Sequence, residues 1–237
     1  MIDNQDKKLA LLGKLTLNRP MLFRTVNLHN TPEYNRDFFE RMVREYSEKY
    51  CPVTLEDVER YAETGVWDKP KPGIVFALFE GYRNNYDVFY PILEKYHMTG
   101  WFFLIADFFD TPETQQRDFA KHHDIDPCLR NDHHYGYPGE DRIALSFDEI
   151  REIAKKHVIV CHTARHLTME DSDSEEWLRY EIIDAKKKLE RELGKEVKVY
   201  CSLWGRGYEY SEKIARLLLE AGYEYIWSAK AIERIRV

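Results

Sequence analysis

The chain has 237 residues, 43% of them hydrophobic and 14% aromatic, which is enough to bury one large core and too apolar for a disordered polypeptide. Its formal net charge is −7, with acidic and basic residues interspersed, so there is no large cationic face for a phosphate backbone and nucleic acid is excluded as a partner. The longest apolar runs, Ile74 to Phe79 and Trp101 to Ala106, are strand-length and far short of the roughly 20 residues of a bilayer span.

The first twenty residues carry Asp3, Asp6, Lys7 and Lys8 and a brief apolar patch from Leu9 to Leu12, with no signal-peptide core or small-residue cleavage site; a cytoplasmic location is the expectation. After this irregular start, Thr31-Pro32-Glu33 opens a helical pattern to about Tyr50, with Phe38, Phe39, Met42, Val43 and Tyr46 at helical spacing. A second helix runs from Thr54, with Asp57 at capping-box spacing, to Gly65. From Gly73 the pattern becomes regular: strand Ile74 to Phe79, helix Asn84 to Tyr96, strand Trp101 to Ala106, helix Pro112 to His122. A long polar loop holding Asp126, Asp132, His133, His134 and Gly139 interrupts the alternation. Helix Ser146 to His157, strand Val158 to Cys161, helix Ser174 to Gly194, strand Val197 to Ser202, helix Ser211 to Ala221 and strand Tyr223 to Trp227 complete it. Strands alternating with helices imply parallel pairing and a closed or nearly closed α/β barrel. No glycine-rich phosphate loop follows an early strand, which removes the usual reason for an open nucleotide-binding sheet. The expected organisation is one domain: a helical lead-in over residues 1–72, packed on a barrel over residues 73–237. Cys51, Cys128, Cys161 and Cys201 are widely spaced with no C-x-x-C pair, which argues for reduced thiols rather than a zinc ribbon.

The most informative string is Val158 to His166. His162 and His166, four residues apart where a buried strand emerges, converge on one cation if the chain turns at once; α/β barrels carry their reactive groups at this rim. On spacing alone the more common reading of such a pair is two surface or satisfied core histidines.

His162-Thr163-Ala164-Arg165-His166 resembles the H-[ST]-x-x-H motif of the polysaccharide deacetylase family, the NodB-homology domains of carbohydrate esterase family four. Gly73-Ile74-Val75-Phe76-Ala77-Leu78-Phe79-Glu80-Gly81-Tyr82-Arg83-Asn84-Asn85 sits where the family's T-F-D-D-G-Y-x-x-N strand falls, and Ala144 to Ile153 and Glu181 to Lys195 resemble the flanking helices. The resemblance covers roughly Gly73 to Val237. It implies a distorted (β/α) barrel of about seven strands. It also implies a divalent metal on Glu80, His162 and His166: zinc first, with cobalt, nickel or iron also suited to a carboxylate and two imidazoles. Such an ion would polarise an acyl carbonyl and acidify a bound water.

Two departures from the pattern matter. The family's base aspartate is replaced by Phe79, which accepts no proton, and the R-x-P-Y-G motif corresponds to Tyr200-Cys201-Ser202-Leu203-Trp204-Gly205, with Cys201 for the arginine that pairs with that base and Leu203 for the proline. Losing both members of an ion pair strands no charge. Glu80 itself and Asp107, at the end of the strand Trp101 to Ala106, are the candidate replacements, with His133 and His134 behind them. Tyr82, Trp204, Tyr208 and Tyr137 are aromatic candidates for stacking on sugar rings. Three readings follow: a hydrolase removing an N- or O-acyl group from a carbohydrate with altered catalytic residues; a homologue without turnover that binds carbohydrate or regulates; and a hydrolase of a small cytosolic amide. The expected partner is a carbohydrate or acylated small molecule.

Overall fold

The structure, a computed structural model, describes residues 23–125, 141–205, 211–228 and 231–235. Within them the sheet contains β1 (Phe23–Leu28), β2 (Cys51–Pro52), β3 (Gly73–Leu78), β4 (Gly100–Leu104), β5 (Val158–Cys161), β6 (Val199–Cys201), β7 (Tyr225–Trp227) and β8 (Ile232–Arg234). The helices are α1 (Arg36–Lys49), α2 (Leu55–Thr64), α3 (Tyr90–Lys95), α4 (Glu113–His122), α5 (Phe147–Ile153), α6 (Glu175–Arg179), α7 (Ala185–Leu193) and α8 (Glu212–Ala221). Seven strands follow one another as β1-β3-β4-β5-β6-β7-β8, and β2 pairs with β3 off this path. All pairings are parallel except β7 with β8. This is the distorted (β/α) barrel of the NodB type: a curled half-barrel, with β1 and β8 as the ends of the strand order.

The reasons are local. Each of β3, β4, β5 and β6 is buried at every position, as strands covered on both faces must be. The boxes at Thr54/Asp57 and Ser146/Glu149 both form, each side chain accepting from the other residue's backbone N–H. Gly65, Gly194 and Gly222 end α2, α7 and α8 in the left-handed conformation. The long helix expected from Ser174 to Gly194 is α6 and α7 joined through a π-helical turn at Tyr180–Asp184, and a similar turn at Asn85–Phe89 precedes α3.

The N-terminal segment differs from expectation. Besides α1 and α2 it supplies β1, which runs parallel to β3 over its whole length, from Phe23 opposite Gly73 to Leu28 opposite Leu78. Gly73 is required there: a Cβ would lie 2.5 Å from the Val53 side chain and 2.6 Å from Phe23. Among the described residues no helix is long and apolar enough to cross a membrane.

Candidate active site

The carboxyl ends of β1, β3, β5, β6 and β7 open into one pocket of about 640 Å³, lined by Asn27, His29, Phe79, Glu80, His162, His166, Cys201, Leu203, Trp204 and Trp227 among others. That volume lies within the range that takes a drug-sized ligand.

His162 and His166 meet there because the chain turns as soon as β5 ends. Thr163 and His166 both adopt positive φ, 67° and 59°. The Thr163 hydroxyl accepts from the His166 backbone N–H at 2.8 Å, which is the task of the hydroxyl residue between the two histidines. Glu181, fully buried in the π-helical turn, clamps the outside of the bend: it accepts from the N–H groups of Ala164 and Arg165 at 3.1 and 2.9 Å and from Arg165 Nε at 2.7 Å. The two imidazoles lie with centroids 4.9 Å apart, one edge-on to the other.

Each ring is tied through the same atom. His162 Nδ1–H donates to the Cys201 carbonyl at 2.9 Å and His166 Nδ1–H to the His123 carbonyl at 2.8 Å, so Nε2 is the untethered nitrogen on both. Burial pushes the His162 pKa down to about 3, aided by neighbouring His166 and opposed by the Cys201 carbonyl. Burial also lowers His166, with the Glu80 carboxylate opposing. Both rings are therefore neutral near pH 7, and a backbone carbonyl on the remote nitrogen is the support found behind metal-bound histidines.

Glu80 follows β3, with φ 68°, beside Gly81 at 79°. Gly81 has no room for a side chain, since a Cβ would sit 2.6 Å from the Phe109 ring. The Glu80 carboxylate lies in the pocket and accepts from His29 Nδ1–H, 2.8 Å from each oxygen. His29 was not singled out from the sequence. Its place is fixed by the β1–β3 register and by Asn85, whose amide donates to the His29 carbonyl at 2.8 Å and to the Thr31 hydroxyl at 3.0 Å.

The donor chemistry fits a divalent ion at two positions, the neutral His162 and His166. Glu80 is the carboxylate beside them, but its oxygens are turned to His29, and among the described residues no three His, Cys, Asp or Glu side chains form a compact ligand set.

Phe79 occupies the expected base position on the pocket wall, stacked on Phe103 at 4.2 Å and on His29 at 5.3 Å, and edge-on to His162 at 5.7 Å. Two other candidates are displaced. Asp107 lies in a separate cleft with Asp110 and His122, where Lys188 and the Tyr180 hydroxyl donate to it at 2.6 and 2.8 Å; a strand end alone does not say which side of the rim a carboxylate takes. Tyr82 is buried with its ring edge-on to Phe108, so it presents no face to a sugar and does not line the pocket. Trp204 does line it, two-thirds exposed, at φ 62°. Tyr208, Tyr137, His133 and His134 lie outside the described residues.

A model of the polysaccharide deacetylase family matches residues 68–226. No curated protein sequence matches the chain. Among solved structures, a de-N-acetylase from Aggregatibacter actinomycetemcomitans is similar with a TM-score of 0.64 and 16% identity, covering 91% of each chain. IcaB from Ammonifex degensii gives a TM-score of 0.63 at 16% identity, covering 88% of this chain and 84% of its own. The Streptococcus pyogenes deacetylase PplD, in complex with acetate, gives 0.59 at 16% identity, covering 85% and 80%. At these identities the structural likeness speaks to the fold.

Proposed function

Because the chain belongs to the polysaccharide deacetylase family, we propose that it is a metal-dependent hydrolase that removes an acyl group from a nitrogen or oxygen of a carbohydrate, with a catalytic set altered from that of its family. The observation that carries this reading is the histidine pair: two neutral rings in one pocket, each with Nδ1 spent on a backbone carbonyl and Nε2 untethered. His162 and His166 would hold the ion, with Glu80 the carboxylate beside them; zinc comes first and cobalt, nickel or iron are alternatives, and the ion would polarise the acyl carbonyl and acidify water. His29 orients Glu80 through their hydrogen bond. Where the ion is held without Glu80, this carboxylate, the acidic group left at the end of β3 beside Phe79, is the chain's candidate for proton transfer. Trp204 at the pocket mouth offers a face to a sugar ring.

Phe79 favours a second reading, a carbohydrate-binding protein without turnover. One experiment separates the two. Purified protein should carry about one divalent ion per chain, lost in His162→Ala with the fold intact by circular dichroism, and should release acetate from N-acetylated oligosaccharides. A metal-free, folded, inactive protein that still binds the oligosaccharide supports the second reading.

A further inference from the structure

One stretch of the pocket wall, right beside the histidine pair, is apolar and uncharged. Phe79 meets His162 edge-on and stacks on Phe103, and Phe103 in turn packs edge-on against Trp227 at 5.0 Å. Cys201 and Leu203 continue the wall from β6. The Cys201 thiol donates to the Ser202 carbonyl at 3.3 Å. The lining contributed by the segment after β1, which adjoins Phe79 through the stacked His29 ring, is amide-rich: Asn27, Asn30 and Asn35, with Tyr34. A pocket that is polar on one side and apolar on the other fits a ligand with the same division.

We infer that the Phe79, Cys201, Leu203 and Trp227 wall receives an acyl chain longer than acetyl, in the butyryl-to-hexanoyl range, while the amide-rich wall receives the sugar. The inference rests on the hydrolase reading, which puts the acyl carbonyl at His162 and His166. A two-carbon acyl group reaches little of this wall. Each further methylene takes its own apolar surface out of water, and with Phe79 and Leu203 lining the wall it meets no charge that it would have to desolvate.

The test is calorimetric titration of the zinc-supplemented protein with the methyl glycosides of N-acetyl-, N-butyryl- and N-hexanoylglucosamine. Affinity should rise about fourfold per added methylene, so that the butyryl compound binds about an order of magnitude tighter than the acetyl one. Affinities that are flat or fall with chain length overturn the inference. Leu203→Asn, which puts an amide into the wall, should remove most of the chain-length gain; an unchanged gain would place the acyl group elsewhere and overturn it too. The wild-type series carries the test even where that variant does not fold. Since the readout is affinity, hydrolysis fails separately: a chain-length gain with no carboxylic acid released overturns the hydrolase reading alone, and acetate release with flat affinities overturns the acyl-chain inference alone.

Discussion

His29 Nδ1 lies 2.8 Å from both carboxylate oxygens of Glu80, a contact made possible by the parallel register that sets Leu28 opposite Leu78. If Glu80 joins the ion, His29, its hydrogen-bond partner, should matter to the ion without touching it. His29→Ala is expected to weaken zinc affinity about tenfold or more, measured by competition with a chromophoric chelator. A gain in affinity would instead mark His29 as a competitor of the ion for Glu80.

Restoring the family's base should be possible only in company. Phe79→Asp removes a ring stacked on Phe103 and is expected to cost about 2–3 kcal/mol in urea unfolding. Adding Cys201→Arg supplies a countercharge, so the double variant should recover part of that loss and show a higher deacetylation rate than either single one. Strict additivity of the two changes would mean that the restored side chains do not meet.

Glu181 is the clamp that keeps the His162–His166 bend folded. In Glu181→Gln the carboxamide replaces a carboxylate that accepts three N–H groups, which should lower stability by about 2–3 kcal/mol and loosen His166. Imidazole NMR resonances would register the second effect: broadening confined to His166, with His162 sharp, is the expected outcome.

Acid should destabilise the protein through a histidine outside the site. His157 is buried between Tyr90 and Phe102 and accepts from the Gly100 backbone N–H at Nδ1, and burial lowers its pKa from 6.5 to about 4 despite the opposing Glu94 carboxylate. The unfolded chain therefore takes up a proton that the folded one refuses. This contribution is whole above pH 6.5 and is lost as the pH falls toward 4, on the order of 3 kcal/mol over that window. Urea midpoints measured between pH 7 and 4 should fall less steeply in His157→Phe than in the wild type; equal slopes would reject the assignment.

Much of the barrel was legible because its strands are uniformly apolar and its helices carry their own punctuation. The Thr54 and Ser146 boxes and the Gly194 and Gly222 stops fall where the sequence puts them. β1 was not legible: Phe-Arg-Thr-Val-Asn-Leu has a single fully buried residue, so its pairing with β3 overrides a weak local pattern. The same reason hid His29, a lone histidine with no spacing partner, whose meaning comes from a strand fifty residues on. The histidine pair was legible since a motif five residues wide is local. Asp107 and Tyr82 misled because a rim position fixes a residue's height in the barrel but not the direction of its side chain, which Lys188 and Phe108 decide.

The family-matched stretch begins at residue 68, after β1, and ends at 226, before β8. A protein trimmed to those limits would bare the full length of β3 on the side that β1 covers, a row of unpaired backbone groups on a wholly buried strand, and should associate edge to edge. The same vacancy invites a cure in trans: a synthetic peptide spanning residues 23–31 should zip onto β3 and return the imidazole to Glu80, so that one edge of the cleft is delivered as a detachable part.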